Sequence, residues 1–87
     1  MLAGSQYKAE PRAKLFAKKL GGKREVYPLC FVGVPWYVDC GAYGFEFASR
    51  GEPKMLCTMG AKVGLSELNQ VLGLVAEVME EFPDDSN

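Results

Sequence analysis

The sequence predicts an α+β fold: one helix, a meander of three or four antiparallel strands, and a second helix, both helices packed on one face of the sheet. Three observations carry this expectation. Apolar residues recur at helical spacing near each end of the chain. The middle alternates apolar and polar residues between turn signals. The links between strands are too short for crossovers, so neighbouring strands pair antiparallel. With 87 residues, 48% of them hydrophobic and 24% charged, the chain makes one ordinary globular domain, residues 1–87, near the lower size limit for a self-sufficient core.

Residues 1–9 read as a loose N-terminus or a short edge element. Pro11 suits a first helical turn, where its missing N–H costs nothing. From there Ala13, Phe16, Ala17 and Leu20 share one face, and Gly21-Gly22 stops the helix. Arg12, Lys14, Lys18 and Lys19 take the rest of the circumference, with the last two placed where cations favour the helix dipole.

The span Val26 to Val32 is β-branched and aromatic, and Pro28 within it argues for an edge strand or a bulge. Gly33-Val34 reads as a two-residue turn into Trp36–Cys40, where Trp36, Val38 and Cys40 fall on one side and Tyr37 and Asp39 on the other. Gly41 to Gly44 reads as a second turn, and Phe45 to Ser49 as a third strand with its phenylalanines inward. Ser49-Arg50-Gly51-Glu52 is a hairpin signal. Lys54 to Met59 follows as a fourth strand, with Met55, Cys57 and Met59 on one side.

The closing helix has Ser66 as its expected N-cap and Glu67 in its first turn. Leu68, Val71, Leu72, Val75, Val78, Met79 and Phe82 form its apolar stripe, and Pro83 ends it. Gly73 is a weak point on the solvent side. Residues 84–87 read as an acidic tail. Because both alternating sets of the first strand are apolar, Tyr27, Leu29, Phe31 and Tyr37 are expected together on the sheet face without helices, a patch of the kind that binds a partner.

Charge is sorted along the chain. Residues 1–24 hold seven bases against the single acid Glu10, whereas residues 64–87 hold six acids and no base. Glu80 and Glu81 at a helix C-terminus are locally unfavourable, so a positive surface beside them would bring relief. The basic helix is therefore expected either as a solvated face, as a phosphate-gripping surface, or docked on the chain's own acidic helix or that of a second copy.

Several function classes lose support. There is no histidine, so the commonest general base and the usual partner of a Ser or Cys nucleophile are missing. Cys30, Cys40 and Cys57 lack C-x-x-C spacing and make a poor zinc set, which leaves reduced, partly buried thiols as the expectation. Neither glycine-rich stretch has a phosphate-loop spacing. No apolar run is long enough to span a bilayer, and no secretory h-region is present, so a cytoplasmic location without membrane contact is expected.

The order of elements is similar to that of the double-stranded RNA-binding domain. That family sets lysines at the start of its second helix, whereas Lys62 stands alone here and Glu67 follows, so no residue carries over. In size and composition the chain resembles small phage-encoded inhibitors of host defence complexes, such as anti-CRISPR proteins. That resemblance implies a short binding protein acting on a larger assembly.

The reading is a non-enzymatic protein-interaction module, an inhibitor or adaptor, with no cofactor, metal or catalytic residue. Lys14, Lys18, Lys19, Lys23 and Arg24 are the candidates for steering toward an acidic or phosphate-bearing partner surface. Tyr27, Trp36, Tyr37 and Tyr43 are the candidate aromatic anchors. Direct nucleic-acid binding by the basic helix and sheet aromatics, and a homodimer, are the alternatives.

Overall fold

The structure, a computed structural model, describes residues 8–29 and 35–83. Helix α1 spans Ala9–Leu20, strands β1 to β4 span Glu25–Pro28, Trp36–Asp39, Tyr43–Phe47 and Lys54–Cys57, and helix α2 spans Leu65–Glu81. The strands form one antiparallel sheet in the order β1-β2-β3-β4, a meander with β1 and β4 at its edges. Pro28 lies in an edge strand, where a missing ladder N–H is tolerated.

Both helices lie on one side of this sheet and the core fills the layer between. Phe16 of α1 is its centre, with ring centroids 5.1 Å from Phe45 and 5.3 Å from Phe47. Val38, Val71, Val75 and Val78 close around these rings. Ala13, fully buried in this cluster, lets the α1 backbone approach the sheet closely, and Ala9 is fully buried as well.

Several boundaries differ from expectation. Helix α1 starts at Ala9, so Pro11 is its third residue and still within the turn whose N–H groups have no helical partner. Gly21 ends α1 with φ +78° while its N–H donates to the carbonyls of Ala17 and Lys18. Gly41-Ala42 suffices as a two-residue turn, with Gly41 at φ +100° and the Cys40 N–H donating to Tyr43 O at 2.9 Å. Strand β3 therefore begins at Tyr43, and Gly44 is a strand residue rather than part of the turn. Helix α2 is capped by Gly64 in extended backbone, whose carbonyl accepts from Leu68 N–H at 2.9 Å, so Ser66 lies inside the first turn.

Strand β4 ends at Cys57, and Met59 beyond it is 98% exposed. Cys57 points to the helix side, opposite Tyr43, as its alternation implies, yet it is exposed because the helices do not cover this edge. Cys40 and Cys57 are free thiols. The expected Gly33-Val34 turn, Cys30, Phe31, most of the loose N-terminus and the acidic tail lie outside the described residues. No helix among the described residues is long and apolar enough to cross a membrane.

Candidate functional site

The candidate site is the sheet face opposite the helices. Strand alternation assigns Val26, Trp36, Val38, Tyr43, Phe45, Phe47 and Met55 to the core side. The other set forms two rows across the sheet. One row reads Tyr27, Tyr37, Glu46, Lys54, and the next reads Glu25, Asp39, Gly44, Leu56. Leu29 extends the apolar part at the β1 end, where its N–H donates to Pro35 O at 2.8 Å.

Tyr27 and Tyr37 face each other directly in the antiparallel register, with ring centroids 5.6 Å apart and planes tilted by 53°. Tyr27, Leu29 and Leu56 are exposed large apolar residues. Gly44 makes this surface possible. A Cβ at position 44 would run into the ring and hydroxyl of Tyr37, which lies across the glycine from the next strand. The absent side chain thus gives the Tyr37 ring its resting place. Burial, with lesser contributions from Asp39 and Tyr27, holds the Tyr37 hydroxyl above its ordinary pKa.

Around the tyrosines the face is acidic. Glu25 and Asp39 lie directly opposite each other, a like-charge cross-strand pair of the kind that destabilises a sheet by a few tenths to about 1 kcal/mol. Glu46 stands opposite Tyr37 on one side and Lys54 on the other. Asp39 also accepts the Gly41 N–H at 2.8 Å, tightening the β2–β3 turn.

Lys14, Lys18 and Lys19 belong to α1 and Arg24 lies beside Tyr43 and Glu67, all on the helix side and away from this face. Lys19 is bound to α2, with Nζ 2.8 Å from Glu77 Oε1 and 3.7 Å from Glu81 Oε2, and the bond to Glu77 raises its pKa above the ordinary value. The chain's own acidic helix is thus the partner of this lysine. Lys14 pairs with Glu10 at 2.6 Å and sits 5.4 Å from the centre of the Trp36 ring, a cation–π contact. Lys18, Lys23 and Arg24 are exposed, with Arg24 Nε donating to Gly21 O at 3.2 Å.

Two of the four anchor candidates also lie elsewhere. Trp36 faces the helix side beneath Lys14 and packs against the core. Tyr43 is buried in the core, and its hydroxyl donates to Glu67 Oε2 at 2.7 Å. Burial, helped by that bond, holds its pKa well above the ordinary tyrosine value. Tyr27 and Tyr37 are therefore the pair that the fold brings together on an open surface.

Arg12 is the residue that sequence reasoning misplaced. It was expected among the solvent-facing bases of α1, but it is fully buried. Its guanidinium donates to Phe82 O, to Ser49 O at 3.0 Å and to Ala48 O at 3.4 Å, fastening the end of α2 and the β3–β4 hairpin to α1. On the helix wheel position 12 borders Phe16 at the edge of the face that Phe16, Ala9 and Ala13 bury, the one sign that it turns inward.

Among the described residues, clefts open on the helix side. One, of about 670 Å³, runs between α2 and the β3–β4 hairpin and is lined by Leu72, Val75, Ala76 and Met79 with Gly51, Glu52, Glu80 and Pro83. Another, of about 440 Å³, lies beside Tyr43 and Glu67, with Lys19 and Arg24 at its rim. Among the described residues no group of three or more Cys, Asp or Glu is placed to hold a metal ion. Comparisons of the chain with protein-family models, curated proteins and solved structures returned no match.

Proposed function

We propose that this protein is a non-enzymatic interaction module that docks on another protein through the helix-free face of its sheet. The observation that supports this most directly is the open Tyr27–Tyr37 pair beside exposed Leu29 and Leu56. An 87-residue domain gains stability by covering apolar surface, and here three large apolar residues are exposed on one side of the β1–β2 and β3–β4 pairs. Aromatic side chains of this kind supply much of the binding energy at protein interfaces, since they bury large area at small entropic cost. In this reading the module acts by occlusion, as an inhibitor or adaptor of a larger assembly would. Lys18, Lys23 and Arg24 form a separate exposed surface that influences the rate of encounter.

The test is comparative capture from the native host, with partners identified by mass spectrometry. Tyr27→Ala combined with Leu56→Ser is expected to lose the partner, while Lys18→Glu and Leu72→Ser retain it. Loss with Leu72→Ser alone would move the docking surface to the groove beside α2. Loss with Lys18→Glu alone, together with a mobility shift of DNA or RNA at low salt, would favour the nucleic-acid reading.

A further inference from the structure

The acidic residues of the sheet face carry a more specific consequence, one that rests on this face being the docking surface. Glu25 and Asp39 are set opposite each other by register, and among the described residues neither is placed in an ion pair. Glu46 lies beside Tyr37 in the adjacent row. Register thus sets three acidic residues in the rows that carry the two tyrosines, while Lys54 is the one cation in these two rows. A sheet that keeps like charges opposite each other holds an unfavourable arrangement that an incoming cation would relieve.

We propose that the partner brings arginine side chains to this face, stacked on Tyr27 and Tyr37 and bonded to Glu25 and Asp39. Charge complementarity selects a cation, and the neighbouring rings select arginine over lysine. A guanidinium is planar, stacks on aromatic faces and offers a fork of donors to a carboxylate, whereas an ammonium is a compact, strongly hydrated point charge. The tyrosine pair supplies the stacking surface that makes this difference felt. The same acids repel phosphates, so the face disfavours single-stranded nucleic acid despite its aromatics.

The experiment titrates the full chain, labelled with ¹⁵N, with an unstructured Gly-Ser-Arg repeat peptide. Lysine and glutamate analogues of that peptide and a thymidine oligonucleotide serve as comparisons. The arginine peptide is expected to shift the amides of Glu25, Tyr27, Tyr37 and Asp39, with affinity severalfold above the lysine peptide and falling as salt rises. Glu25→Gln with Asp39→Asn is expected to weaken it tenfold or more. Asn keeps the side-chain oxygen that accepts the Gly41 N–H, so the turn is preserved. With the like-charge pair removed, this variant is expected to melt no lower than wild type, which separates lost binding from lost folding.

The proposal is overturned if the shifts centre on Glu77, Glu80 and Glu81, if the neutral variant binds equally well, or if the oligonucleotide occupies the face. Capture of the native partner separates the role of arginine from that of the docking face. Loss with Tyr27→Ala and Leu56→Ser but not with the neutral variant would leave the docking face standing and remove the arginine. Retention by both would remove the docking face itself.

Discussion

Arg12 Nε donates to the carbonyl oxygen of Phe82 at 2.9 Å, joining the first turns of one helix to the C-terminal end of the other. The last carbonyls of a helix have no partner within it, and a cation there also meets the negative end of the helix dipole. Lys8 Nζ adds a bond to Pro83 O at 2.8 Å, and Lys19 reaches Glu81. The crowding of negative charge at the end of α2 is thus met by bases from α1 and its N-cap. Arg12→Ala is expected to cost about 3 kcal/mol or more, because it removes buried donors and leaves carbonyls of Phe82 and Ser49 unsatisfied. Urea unfolding monitored by circular dichroism checks this, and Arg12→Lys should recover only part of the loss, since an ammonium cannot reproduce the fork.

Lys19 places a second, exposed link between the helices, with Glu77 and Glu81 as its partners. Lys19→Glu would set three acids together on this surface. The variant is expected to melt below wild type at low salt, and the gap should close as salt rises and screens the repulsion. Equal melting temperatures at low salt would show that this contact contributes nothing to helix docking. Lys18→Glu, one residue away and exposed, is the matched control.

These two lysines differ only in what lies beside them. Both were legible as cations on the polar side of an amphipathic helix, and the existence, order and sidedness of the elements followed from periodicity. The alternation of β2 correctly separated Trp36 and Val38 from Tyr37 and Asp39. What periodicity cannot supply is the neighbouring element. Lys19 has its acids because α2 lies beside it, and Arg12 is buried because the β3–β4 hairpin and the end of α2 converge on it. Tyr43 fell within an expected turn because two glycines bracket Ala42 and Tyr43. One of them serves the turn, and the other serves the ring of Tyr37. The Glu25–Asp39 pair likewise emerges from register, a relation between strands that no single strand displays.

Gly73 is a helix-interior glycine in α2 with ordinary helical backbone and nothing near the position a Cβ would occupy. Replacing it by alanine removes the entropic cost of glycine without a clash. Gly73→Ala is expected to raise stability by about 1 kcal/mol. The check is a shift of the urea midpoint with an unchanged slope. A loss of stability would mean that the outer side of α2 is packed against something in solution.

High pH should weaken the fold through groups whose protonated forms the folded state favours. Tyr43, Tyr37 and Lys19 all have folded pKa values raised above their ordinary 10.0, 10.0 and 10.5. For Tyr43 burial is the first cause and the bond to Glu67 the second, for Tyr37 burial leads, and for Lys19 the bond to Glu77 leads. A raised folded pKa gives stability that is fully present below the unfolded value and lost as pH climbs toward the folded one. Burial raises the Cys40 thiol above its ordinary 9.0 as well, so unfolding free energy from urea melts is expected to fall from about pH 9 upward. Tyr43→Phe should flatten part of that fall while costing roughly 1 kcal/mol near neutrality for the lost hydroxyl bond. An unchanged alkaline slope in Tyr43→Phe would assign the fall to the other groups.

The glycine beneath Tyr37 links fold to candidate function. In Gly44→Ala the new methyl meets the Tyr37 ring and also comes within 2.7 Å of Val38 O, so the side chain must move and the backbone must yield slightly. Overpacking of this kind costs about 1–3 kcal/mol. Tyr37→Ala removes the first obstacle and leaves the second, so a double-mutant cycle is expected to show a favourable coupling with only partial recovery. The functional signature is separate from the energetic one. With its resting place gone, the Tyr37 ring turns away from Tyr27, and ring-current shifts between the two tyrosines should diminish in the proton spectrum. Partner capture should weaken in Gly44→Ala even under conditions where the variant is fully folded. Full capture by a folded variant with displaced tyrosine signals would mean that the ring pair is not the anchor.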